Sequence, residues 1–122
     1  MLIFLSDKKE KPKTLRGLES IKEPENLQAF LYDHKNELIF YKTYRLFDPY
    51  GFKVLEIADI KNIKDFSKSL YELADTFDLK KENKTIRKYN LSTAKIKKYS
   101  QALQRLSDLA LKDDLSMISL GD

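Results

Sequence analysis

The chain has 122 residues, enough for one hydrophobic core and too few for two. Its 42% hydrophobic and 34% charged content exclude a disordered chain, and the absence of Cys excludes disulfides and thiolate chemistry. Net charge is only +4 but unevenly spread: residues 1–79 carry −1, residues 80–105 carry +8 with Glu82 the sole acid, and residues 106–122 carry −3, the asymmetry of an electrostatic footprint for an anionic partner.

The opening MLIFLSDKK lacks the basic start and small-residue cleavage site of a signal peptide, and it reads as a short strand. No apolar run is long enough to cross a bilayer, so a cytoplasmic protein without a membrane partner is expected. DKKEKPKT (7–14) is polar, and LRGLESI (15–21) reads as a short helix stopped by Pro24. Residues 27–33, 38–47 and 52–60 are rich in aromatic and β-branched side chains. They read as three antiparallel strands, separated by the polar break HKNE and by DPYG (48–51), whose Asp, Pro and Gly suit a type I turn.

From Asn62 the period becomes helical: Ile63, Phe66, Leu70, Leu73, Ala74 and Phe77 share one face. KTIRKY (84–89) predicts a short helix. Ser92 then suits the N-cap of a helix of about twenty residues, with Ile96, Tyr99, Leu103, Leu106 and Ala110 as its inward stripe. The fold class expected is α+β: a small antiparallel three- to four-stranded sheet followed by two or three helices, the last one long. Residues 1–122 are expected to form a single domain, mainly β over 1–61, helical over 62–112, with a tail at 113–122.

The basic stretch KYNLSTAKIKKYSQALQRL (88–106) carries the main functional signal. Asn90 stands where a turn needs positive φ, which Asn tolerates. Leu91 is an apolar turn residue, Ser92 a cap, and Ile96 and Tyr99 are buried positions four and seven residues further on. Over about residues 84–106 this pattern resembles helix-turn-helix DNA-binding proteins, with Ile86 and Tyr89 inward on the first helix. It departs from them at Ile86, where a small residue is usual, and at Asn90, where Gly is usual.

The resemblance implies a recognition helix lying in a major groove. Thr93, Lys97, Lys98, Gln101 and Arg105 would face the nucleic acid, Lys95 would flank them, and Arg87 and Lys88 would reach phosphates. Because lysine is a point charge, such a face favours phosphate over base. The function expected is therefore that of a small nucleic-acid-binding regulator or accessory factor, with duplex DNA ahead of RNA. The competing expectation is a protein-interaction module, an adaptor or inhibitor. It would bind through an aromatic sheet (Phe40, Tyr41, Tyr44, Phe47) or through the C-terminal helix, whose 96–110 seam also suits a homodimer.

Enzymatic chemistry finds little footing. There is no zinc-ligand spacing, phosphate-binding glycine loop or nucleophile elbow, and the lone His34 is expected to be solvated in a turn. Asp59-Ile60-Lys61 resembles half of a metal-dependent nuclease motif. Its companion Asp48 would lie about 30 Å away along a strand, leaving only Glu37 or Asp33 to substitute. No catalytic residue, metal or cofactor is expected.

Overall fold

The structure is a computed structural model in which residues 1–121 are described. Four strands, β1 (Leu2–Ser6), β2 (Ser20–Lys22), β3 (Phe52–Leu55) and β4 (Ser116–Leu120), form one antiparallel sheet in the order β2-β1-β4-β3. β4 thus lies between β1 and β3, with Phe4 and Val54 both opposite Ile118. Side chains alternate across a strand, and both faces of the sheet's centre are dry. Ile3, Leu5 and Met117 on one face, and Phe4 and Ile118 on the other, are at most 3% exposed.

Five helices accompany the sheet: α1 (Leu27–Asp33), α2 (Tyr41–Tyr44), α3 (Ile57–Leu79), α4 (Asn83–Arg87) and α5 (Thr93–Asp113). The architecture is α+β, and the last helix is long. α3 and α5 pack together along their apolar stripes, Ile60, Ile63, Phe66, Leu70, Leu73 and Phe77 meeting the stripe that begins at Ile96. Ser67, Ser100 and Ser107 are buried on these helices. Each hydroxyl donates to a carbonyl of its own helix, at 2.6 Å to Lys64, 2.7 Å to Ile96 and 2.8 Å to Leu103, so none of these three donors is orphaned.

The first half of the chain departs from the sequence expectation. Residues 27–33 are α1 rather than a strand, because Leu27, Phe30 and Leu31 bury one helical face. Residues 38–47 contain α2 and a turn: Phe40 enters α2 with φ 55°, and Tyr44 and Phe47 point into the core. Of 52–60 only Phe52–Leu55 is extended, and α3 begins at Ile57, five residues before Asn62. In 15–21 there is no helix but a turn closed by the Leu18 amide on the Leu15 carbonyl, with Gly17 at φ 82°.

The segment 113–122, expected as a tail, supplies β4, one of the two central strands, and Asp122 lies outside the described residues. DPYG does turn, with the Tyr50 amide 2.8 Å from Asp48 Oδ1. It leads from α2 into β3 rather than joining two strands, and the Gly121 amide donates to the Gly51 carbonyl at 2.6 Å beside it.

Candidate nucleic-acid interface

α4, the turn after it and α5 form the expected local shape. Asn90 is left-handed at φ 56°, Leu91 is buried, and Ser92 Oγ accepts from the Lys95 amide at 3.1 Å. A serine at that position satisfies a helix-start donor that the helix itself cannot. Ile86 is buried and Tyr89 half-buried, its ring 5.5 Å from Phe30 and its hydroxyl donating to Asp33 at 2.5 Å. The 96–110 seam is buried within the chain against α3, which accounts for its spacing without a second copy of the chain.

The outward face is narrower than the sequence implied. Lys97 turns to the α3 side, where its Nζ lies 2.8 Å from Asp75 and 2.6 Å from Asp78. The hydrogen bonds it donates to those two carboxylates hold its ammonium well above the ordinary lysine value. Thr93 donates to Asp78 at 2.6 Å, and the Lys97 and Thr93 hydrogen bonds hold the Asp78 carboxyl below the ordinary range. Thr93 and Lys97, expected as contacts to nucleic acid, therefore hold α5 against α3. The physical reason is the spacing of Asp75 and Asp78, which places two carboxylates next to each other on a helix.

Lys98, Gln101 and Arg105 do lie along the outer line of α5, with Lys95 exposed on the shoulder nearer β2. Lys95, Lys98 and Gln101 make no side-chain hydrogen bond or ion pair among the described residues. Arg105 lies 3.4 Å from Glu19, both side chains more than half exposed, so the contact is weak. Arg87 and Lys88 are exposed beside the turn, the Lys88 ammonium 5.1 Å from the Tyr89 ring centre.

A groove of about 510 Å³ runs between β2 and α5, with no counterpart in the sequence pattern. Lys22, Lys95 and Lys98 line it with Asn26, Asn90 and Glu25, over a floor that includes Ile21, Pro24, Leu91 and Ala102. Tyr99 closes its inner end. Behind it the Tyr99 hydroxyl meets the Tyr44 hydroxyl at 2.7 Å, and Tyr44 in turn donates to the buried Glu23. Outside the groove, the connection between β1 and β2 carries exposed Lys8, Lys9, Lys11, Lys13 and Arg16 together with exposed Asp7, Glu10 and Glu19. That charge was visible in the sequence, but only the pairing of β2 with β1 brings Lys22 beside α5.

The nuclease constellation is dispersed. Asp59 and Lys61 stand on α3, where residues two apart are about 200° apart around the axis and share no face. His34 is not solvated but half-buried, 4.6 Å from the Phe30 ring and 5.4 Å from the Phe77 ring, with Nδ1 3.3 Å from Glu37. The aromatic set Phe40, Tyr41, Tyr44 and Phe47 belongs to no strand. Comparison with protein families, with curated proteins and with solved structures finds no match to this chain.

Proposed function

We propose that the protein binds nucleic acid, duplex DNA ahead of RNA, as a cytoplasmic regulator or accessory factor. The contacts are made by the outer face of α4 and α5. The observation that carries this reading is the row of cations with no internal partner, Lys95 and Lys98, flanked by Arg87, Lys88 and the weakly held Arg105. Solvated cations spaced along one helix can each neutralise a phosphate, and the counterions released on binding supply affinity. Gln101 is the one amide on this outer line able to touch a base edge, so sequence discrimination is modest and shape and phosphate dominate.

Fluorescence anisotropy of a labelled duplex, measured across a range of salt, tests the reading. Wild type should lose affinity steeply as salt rises. Lys95→Ala/Lys98→Ala should flatten the log–log slope by about 2 units. No binding to duplex or to RNA at low salt sinks the proposal.

A second reading, an adaptor or inhibitor of another protein, is favoured by a separate observation. Six large apolar side chains within residues 39–57 are exposed, namely Ile39, Phe40, Leu46, Tyr50, Phe52 and Ile57, with Tyr50 at 87%. Failure of the anisotropy experiment would leave this reading standing.

A further inference from the structure

We propose that the groove between β2 and α5 binds a nucleoside monophosphate unit, its phosphate held by Lys22, Lys95 and Lys98 and its base edge read by the amides of Asn26 and Asn90. The volume, about 510 Å³, falls within the ~300–1,000 Å³ typical of small-ligand sites. Three cations converge there from two elements distant in sequence, and none forms an ion pair among the described residues. Glu25 is the one acid lining the groove, so the wall stays positive.

The floor of Ile21, Leu91 and Ala102 offers apolar surface to the face of a planar ring. Both asparagines are left-handed, Asn26 at φ 69° and Asn90 at φ 56°, two of the five non-glycine residues with positive φ among those described. Asparagine tolerates this backbone better than most residues, and here it stands before α1 and in the turn before α5, with both residues lining the groove. Neither amide has a hydrogen-bond partner among the described residues. Asparagine pairs in bidentate fashion with the adenine edge, which selects the base for the first trial.

Adenosine 5′-monophosphate and an adenine-rich single strand carrying a 5′-phosphate share this chemistry, so both are titrated calorimetrically into the full chain. Inorganic phosphate and the 5′-hydroxyl strand serve as comparators. The expected result is one-to-one binding of the nucleotide, tighter than phosphate, or of the phosphorylated strand, tighter than its 5′-hydroxyl twin. Whichever ligand binds names the source.

Lys22→Ala/Lys98→Ala should weaken that binding at least about tenfold. Asn26→Gly/Asn90→Gly keeps the left-handed backbone open to glycine. It should reduce the nucleotide to the affinity of phosphate while leaving phosphate itself unchanged. Absence of binding by both ligands overturns the proposal. So does affinity no greater than the comparators', or binding that survives Lys22→Ala/Lys98→Ala. A blunt duplex without terminal phosphates separates this site from the duplex face. Duplex binding without nucleotide or strand-end binding removes the groove proposal alone, and the converse removes the duplex reading alone.

Discussion

Glu23 is 8% exposed, and its carboxylate takes hydrogen bonds from Tyr44 and from Gln28. Burial holds this carboxyl above the ordinary carboxylate range, against a weaker downward pull from those two donors. A folded-state pKa above the unfolded one gives stability that is full below the unfolded value and is lost as pH rises through the folded value. Glu23→Gln removes the titration. Its thermal midpoint relative to wild type should therefore climb as pH rises above the ordinary glutamate value, about 4.3, as differential scanning fluorimetry would show. A difference that stays flat or falls with pH would mean the carboxylate is not penalised by burial. Tyr44 donates to Glu23, so Tyr99 must donate to Tyr44, and the two hydroxyls are not equivalent. Tyr44→Phe strips the carboxylate of a donor and should cost about 1–3 kcal/mol in urea unfolding, whereas Tyr99→Phe should cost nearer 1 kcal/mol.

α3 and α5 behave as one unit because charge as well as packing joins them. Lys97 bridges Asp75 and Asp78, and Lys64 reaches Asp108 at 2.7 Å. Lys97→Met leaves two carboxylates facing each other three residues apart on α3. Its thermal midpoint should fall, by less in high salt, where the repulsion is screened. Duplex affinity should change less than about twofold, in contrast to the loss from Lys95→Ala/Lys98→Ala. An equal loss of affinity from Lys97→Met would return Lys97 to the binding face. The helical half was legible in the sequence because apolar residues at three and four recur over about four turns, long enough to fix the inward stripe. What the sequence could not show is which shoulder of α5 meets α3, since Lys97 and Lys98 look alike until Asp75 and Asp78 are placed opposite one of them. Residues 27–47 conceal their helices for the opposite reason. Helical pattern lasts only seven residues in LQAFLYD, and β-branched and aromatic content there reflects packing around Tyr44 and Phe66, whose rings stack at 4.5 Å.

The whole molecule depends on its most distant pairing. β1 and β3 each pair with β4, and Ile118 is fully buried between Phe4 and Val54. Ile118→Ala should cost about 2–5 kcal/mol in urea unfolding. A loss below about 1 kcal/mol would mean that β4 does not hold the sheet together. No local signal announced β4, because SMISL follows an acidic helix end and is only five residues long, so its partners lie far away in sequence. The same topology sets a schedule for a ribosome making this chain. Ribosomes add about 5–20 residues per second, so roughly 3–12 s separate Leu55 from Ser116. During that interval β3 has no neighbour in the sheet and β1 has only β2. The edges of β1 and β3 that β4 later fills therefore stay open until residues 116–120 emerge, a window in which a chaperone or another nascent copy can pair with them first.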